Sequence, residues 1–326
     1  MIGLSHKSAE LSLLELFSIV AISLKNKALC FYPYPTIILS TCNRVEIYFC
    51  AENLSEAHSA LLAYLRIQIK APFEHRLYSF FGIDCFYHLA KVTSGLDSAV
   101  LGESEIQGQV KLAYLEASSI QKLSSSMHYI FQKALRIGKT IRNFLPSRKF
   151  SLADAVLSIG EIHFSKIQEK KILLIGNSSI NRSILCSLKK REFKDITLIS
   201  QTKLDQFQCR IKTREELLYW RQYDLIISAT KCDAPIVRDQ RGSFAVLFDL
   251  GVPRNIDSTL ERDKTLKLYN IEEIHEWIQK REKPESNLSF SLEKSLKSEV
   301  AKFARLYRQK MGMGDKRHSL KACEIF

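Results

Sequence analysis

No apolar run in the 326-residue chain reaches the ~18 residues that a membrane-spanning helix needs. Met1 leads straight into Ile2-Gly3-Leu4, with no basic region ahead of a greasy one. The expectation is a soluble, cytoplasmic protein without a membrane partner. The eight cysteines, at positions 30, 42, 50, 85, 186, 209, 232 and 323, form no C-x-x-C pair and no cluster with histidine at zinc-ligand spacing. Neither a disulfide framework nor a metal site is expected, and most thiols read as reduced, small buried hydrophobes. Internal repeats and low-complexity tracts are also lacking.

What is there is length, apolar content and positive charge. At roughly 150 residues per domain, the chain suits two or three domains, and 46% hydrophobic residues support packed cores. A formal charge of +13 favours an anionic partner, with nucleic acid and phosphorylated cofactors the obvious candidates. A merely basic surface accounts for the charge equally well, so a motif has to decide.

The first ~145 residues mix strands and helices up to Phe144-Leu145-Pro146-Ser147, where proline follows a long helical pattern. Beyond it stand four short apolar runs, 172–175, 196–199, 225–228 and 245–248, separated by helix-sized segments or polar loops. Such alternation predicts a parallel sheet with crossover helices, hence an α/β protein. After Tyr269 the chain turns helical and charged and breaks at Lys283-Pro284. It then resumes with Phe290, Leu296, Val300, Phe303, Leu306 and Tyr307 on one stripe, suited to docking on the body or on a second subunit.

Thr36 to Ser40 reads as a strand entering the turn Thr41-Cys42-Asn43-Arg44, and a second strand follows in which Val45, Ile47 and Phe49 alternate with Glu46 and Tyr48. Period-two geometry puts Arg44, Glu46 and Tyr48 on one face, with Cys42 at its head. A turn cysteine two residues from an arginine is placed for a lowered thiol pKa, because positive charge favours the nucleophilic thiolate. On the local pattern alone, a turn cysteine beside an ordinary Arg/Glu surface pair is the commoner arrangement.

Longer blocks change that balance. Ser40 to Tyr48 closely resembles the cysteine signature of glutamyl-tRNA reductases, and Gly3 to Ala9 resembles that family's opening strand and turn. His88 to Ser98, Leu101-Gly102-Glu103 and Ile106 to Tyr114 resemble its longest motif. Several blocks in the family's order, spread from Gly3 to about Asn143, are more specific than any short pattern.

The resemblance implies a catalytic α+β domain over 1–147, a Rossmann-like NADPH-binding domain over 148–275 and a helical region over 276–326 as a shortened dimerisation domain. It implies that Cys42 attacks the ester joining glutamate to tRNA and that hydride reduces the resulting thioester to glutamate-1-semialdehyde. In that scheme Arg44 and Glu46 orient the substrate's carboxylate and ammonium groups. Thr41, Ser94, Ser98, Glu103 and Gln109 supply further polar contacts, and His88 assists proton transfer or orients the carbonyl. Outside the resemblance, His88 among Leu89, Val92 and Leu96 would pass as a helix-face histidine, and Glu103 as the opening of a helix. Position 105 holds Glu105 where many relatives carry glutamine, which adds a negative charge.

From Met127, the residues Ile130, Phe131, Ala134, Ile137 and Ile141 form one helical stripe and leave Lys133, Arg136, Lys139 and Arg142 mainly on the exposed side. That row is expected either to hold the tRNA acceptor stem or to be a solvated helix face.

The second domain opens as a dinucleotide-binding strand and turn, Lys171 to Gly176, but the glycine-rich fingerprint is eroded. Gly176-Asn177-Ser178-Ser179-Ile180-Asn181 retains only the first glycine. Ser178, Ser179 and the helix start can still donate to phosphate. Lys203 stands in for the arginine that relatives direct at the ribose 2′-phosphate. Ser228, Ala229 and Thr230 are expected at the cofactor, and binding of NADPH is expected to be weak. Shortening of the C-terminal region leaves a homodimer open, and the downstream semialdehyde aminomutase is a candidate partner. Two competing readings are a degenerate relative that binds charged tRNA or a partner enzyme without reducing anything, and a hydrolase of glutamyl-tRNA.

Overall fold

The structure, a computed structural model, describes residues 1–31, 34–103, 105–145, 150–200, 209–232, 234–238, 242–281 and 286–310, without the side chains of 26–31 and 286–289. The chain forms two units, one of 1–148 with 284–326 and one of 149–283.

The first unit comprises β1 (Ile2–Ser5), α1 (Leu11–Phe31), β2 (Thr36–Ser40), β3 (Arg44–Phe49), α2 (Leu54–Gln68), β4 (Tyr78–Ser79), α3 (Gly82–Thr93), α4 (Glu105–Ile120) and α5 (Ser125–Arg142). Its antiparallel sheet has the order β2-β3-β1-β4. The predicted alternation in β3 is present, yet both faces of that strand are buried. Val45, Ile47 and Phe49 supply one face as expected, and the polar face of Arg44, Glu46 and Tyr48 is buried as well. Gly3 makes this possible. It pairs with Glu46 on one side and Tyr78 on the other, and a Cβ there would lie 2.8 Å from Glu46 Cγ and 3.2 Å from Tyr78 Cε2. Without it the two side chains meet across β1.

Helix α5 forms because Ser124 caps it, accepting from the Met127 N–H at 3.2 Å, and because Met127, Phe131, Ala134, Ile137 and Ile141 bury one stripe. Thr93, at the end of α3, donates its Oγ1 to Ala134 O at 2.8 Å, which ties α3 to α5.

The second unit contains α6 (Leu152–His163), β5 (Ile172–Ile175), α7 (Ser179–Lys190), β6 (Ile196–Ile199), β7 (Arg210–Lys212), β8 (Leu225–Ser228), β9 (Ala245–Asp249), β10 (Leu266–Asn270) and α8 (Ile271–Arg281). Its sheet runs β10-β9-β8-β5-β6-β7, all parallel. The four apolar runs are its four central strands. The two edge strands escape the pattern because β7 is three exposed residues long and β10 alternates apolar and polar positions. The order reverses between β5 and β8, and the crevice at the carboxyl ends of those strands is where open α/β sheets bind ligands.

The C-terminal region differs from the expected third domain over 276–326. Helix α8 belongs to the second unit, whereas α9 (Ser286–Lys310) belongs to the first. Leu292, Leu296, Val300, Phe303 and Tyr307 enter the same apolar core as α3 and α5, and Tyr129 Oη donates to Phe303 O at 2.8 Å. A stripe that apolar cannot stand in water, and the body of the first unit covers it. No helix among the described residues is long and apolar enough to cross a membrane.

Candidate active site

Cys42 lies at the tip of the β2–β3 hairpin. The turn is pinned from within: Thr41 N–H donates to Arg44 O at 2.9 Å, and Thr41 Oγ1 accepts from the N–H groups of Asn43 (3.1 Å) and Arg44 (3.2 Å). His6 N–H closes the tip from outside by donating to Asn43 O at 2.9 Å. Thr41 therefore serves the turn, and its hydroxyl is occupied by backbone donors.

The thiol departs from the lowered pKa expected of it. Cys42 keeps partial solvent exposure but is closely surrounded by protein, and burial pushes its pKa up to about 12, with the charge of Glu103 adding to the rise. Arg44 opposes this only weakly, because its own charge is already matched. Its Nη1 donates to Glu46 Oε1 at 2.8 Å, and its Nη2 donates to Asp97 Oδ2 at 2.9 Å and Asp97 O at 2.8 Å.

Glu46 is fully buried and saturated. Oε1 accepts from Arg44, from Tyr78 Oη at 2.8 Å and from His88 Nε2 at 2.7 Å, while Oε2 accepts from Tyr48 Oη at 2.6 Å. Burial alone would raise this carboxyl's pKa, yet the charges of His88 and Arg44 and these hydrogen bonds hold it well below the usual range. Phe80 stacks on the imidazole, with ring centroids 4.7 Å apart.

Arg44 and Glu46 thus face each other rather than a ligand, which corrects their expected role as the substrate's charge partners. Two buried charges lower their desolvation cost by pairing. Tyr78 and Asp97 complete the cluster and were not singled out in the sequence. Tyr78 sits on a two-residue strand that no periodicity reveals, whereas Asp97 lay within the quoted long motif.

The other expected substrate contacts are dispersed in role. Ser94 is buried and donates to Lys91 O at 2.8 Å, ending α3. Ser98 Oγ is buried without a hydrogen-bond partner. Glu103 and Glu105 both exert their charge on Cys42. Gln109 lies half-buried on α4. The basic row on α5 is divided: Arg136 and Lys139 are exposed, Lys133 lies 5.3 Å over the Phe303 ring, and Arg142 Nη1 is buried.

In the second unit, Gly176 follows β5 with φ +95°, and a Cβ there would lie 2.6 Å from Thr230 Cβ and 2.8 Å from Ala229 O. Only glycine suits that conformation and that approach. The turn leads into α7, capped by Ser178 Oγ, which accepts from Asn181 N–H at 3.2 Å. Ser179 and Ile180 open the helix, where backbone N–H groups suit a pyrophosphate. Asn177 Oδ1 accepts from Arg182 Nε at 2.8 Å. Asn181, in place of the third glycine, donates through Nδ2 to Ile175 O and Gly176 O, both at 2.8 Å, and leaves Oδ1 buried without a partner. The amide thereby fills the helix–strand gap that a glycine would leave open, and the turn keeps its shape. The glycine turn and the helix start fit a dinucleotide phosphate.

Across the switch point, Ser228 is buried and donates to Asn255 Oδ1 at 2.9 Å, and Thr230 N–H donates to the same atom at 3.0 Å. Ser228 and Ala229 therefore line the wall from inside, and only Thr230 of the three is partly exposed. Asn255, unnoticed in the sequence, is the hub that holds them. Lys203 lies outside the described residues.

A doubly wound parallel sheet with a glycine turn at its switch point, in one chain with a unit that presents a hairpin cysteine, defines an oxidoreductase of the dinucleotide-dependent class. Residues 2–144 match the family model for the N-terminal domain of glutamyl-tRNAGlu reductase, and residues 158–277 match that for shikimate / quinate 5-dehydrogenase. The chain is 33% identical over 254 residues to the glutamyl-tRNA reductase of Chlamydia trachomatis serovar L2, covering 76% of this chain and 73% of that protein. It is 35% identical over 253 residues to that of Chlamydia pneumoniae, covering 75% and 72%. A solved glutamyl-tRNA reductase from Methanopyrus kandleri is 20% identical, with a TM-score of 0.47 over 95% of this chain and 80% of that one. The chain belongs to the glutamyl-tRNA reductase family.

Proposed function

We propose that the protein reduces tRNA-bound glutamate to glutamate-1-semialdehyde with NADPH, through a thioester on Cys42, as the first step of tetrapyrrole synthesis. The observation that carries this reading is the position of Cys42: a half-exposed thiol at the tip of a rigid hairpin, in a chain of this family. In this scheme the Cys42 sulfur bonds to the ester carbonyl carbon, the carbon–oxygen bond to the tRNA 3′ end breaks, and the thiol proton ends on the departing hydroxyl. A bound nicotinamide dinucleotide supplies the hydride.

The other roles fall to side chains. Because the thiol is protonated at neutral pH, it needs a base as the substrate docks. His88 is suited to that. A carboxylate only accepts hydrogen bonds, so Nε2, bound to Glu46, carries the proton and Nδ1 keeps its lone pair. Arg44, Glu46 and Asp97 act as positioning residues that hold this imidazole and the hairpin. Gly176, Ser179, Ile180 and Thr230 contact the cofactor, and Arg136 and Lys139 contact the RNA backbone.

Purified protein given glutamyl-tRNA and NADPH is expected to yield the semialdehyde, and Cys42→Ser to abolish it. The Asn181 amide in the phosphate turn favours one second reading, a relative that binds charged tRNA without reducing it. Tight tRNA binding with no NADPH oxidation would decide for that reading, and release of free glutamate for hydrolysis.

A further inference from the structure

Arg142 is the last residue of α5 and by sequence belongs to the basic row, but it does not share the row's surroundings. Its Nη1 is buried and has no hydrogen-bond partner among the described residues. An ionised donor left buried and unpaired is costly, and such groups are retained where a ligand completes them. Burial pulls the Arg142 pKa down, and the charge of Glu105 opposes this. Glu105 acts on Cys42 as well, so the guanidinium and the thiol belong to one charge neighbourhood.

A second unpaired group lies on the adjoining loop. Ser98 Oγ is buried without a partner, in a loop closed by Gly102 N–H donating to Gly95 O at 2.9 Å. That loop packs on the end of α5: a Cβ at Gly102 would lie 2.6 Å from Leu145 Cδ1, three residues beyond Arg142. Meanwhile Arg44, the cation that sequence puts nearest Cys42, spends its donors on Glu46 and Asp97.

We propose that Arg142, with Ser98, binds the side-chain carboxylate of the glutamyl group and so selects glutamate over its neutral amide. The inference rests on glutamyl-tRNA being the substrate. A carboxylate oxygen accepts from both unpaired donors at once, and a glutamine amide would turn an N–H toward one of them.

The test is equilibrium binding of the full chain to tRNA that carries glutamate or glutamine through an unreactive 3′-amide, and to uncharged tRNA. The wild type is expected to prefer the glutamyl form. Arg142→Gln is expected to weaken glutamyl-tRNA binding about 30-fold, as loss of a charged hydrogen-bond partner does, while shifting the other two less than about twofold. Arg142→Lys restores part of the preference, and Ser98→Ala lowers it about fivefold. Equal weakening of all three RNAs by Arg142→Gln would make the residue a phosphate contact and overturn the proposal, as would an unchanged Glu/Gln ratio. Should Arg142→Gln fail to fold, the ratio in Ser98→Ala and Arg142→Lys decides. Binding needs no hydride transfer, so a glutamate preference without semialdehyde formation refutes the reductase reading alone. Reduction without that preference refutes this one alone.

Discussion

His88 Nε2 donates to Glu46 Oε1 at 2.7 Å, so a carboxylate with no solvent exposure fixes the tautomer and plane of the imidazole. The same oxygen pair receives Arg44, Tyr48 and Tyr78, and every one of these partners is a donor. The site's rigidity therefore depends on Glu46 being ionised.

Replacing Glu46 with glutamine sets an NH2 group against donors and leaves Arg44 with an uncompensated charge. Glu46→Gln is expected to cost about 3–5 kcal/mol, as breaking buried pairs does. It should also change the response to acid. Glu46 and Asp97 both titrate below the usual carboxylate range in the folded protein. Their stabilisation is thus complete above the unfolded value of about 4.3 and is lost as pH falls through the folded values. Urea denaturation at pH 7, 5, 4 and 3 checks this. A variant as acid-sensitive as the parent would contradict it.

Cys42 offers a kinetic prediction. With its pKa pushed up to about 12, the free protein holds a neutral thiol at pH 7. Alkylation by iodoacetamide is expected to rise about tenfold per pH unit from pH 7 to 10, because only the thiolate reacts. Glu103→Gln removes a charge that disfavours the thiolate, so it should speed alkylation at every pH in that range. A plateau below pH 8 would show instead an activated thiolate at rest.

These features were unequally legible in the sequence. The hairpin around Cys42 and the four central strands follow from period-two and apolar runs, because local pattern fixes local structure. What pattern does not carry is which partner a charged side chain finds. Arg44 and Glu46 lie on one face by spacing, but Tyr78, His88 and Asp97 come from distant segments and take up every donor and acceptor. Burial set by those long-range contacts also reversed the expected direction of the thiol pKa. Asn181 is similar. As a missing glycine it read as loss, whereas its amide bonds two carbonyls at the strand end.

Asp249 gives the last prediction, since its environment opposes itself. Oδ1 accepts from Gly251 N–H at 3.0 Å, and Oδ2 accepts from Asn255 and Ile256 N–H, each at 2.8 Å. These bonds position Asn255, which in turn holds Ser228 and Thr230 at the switch point. Burial nonetheless wins and raises the carboxyl to about 6. A folded pKa above the unfolded ~3.9 means stability that is present below that value and lost as pH rises through about 6. Asp249→Asn removes the titration but turns an NH2 toward backbone donors. The variant is expected to be about 2–4 kcal/mol less stable than the parent at pH 4.5, where one or two N–H groups go unpaired in it. By pH 7.5 the parent bears the cost of a buried charge and the gap should narrow by about 2 kcal/mol. Guanidinium denaturation of both proteins across that range measures the gap, and a difference constant with pH would show that Asp249 is ionised throughout.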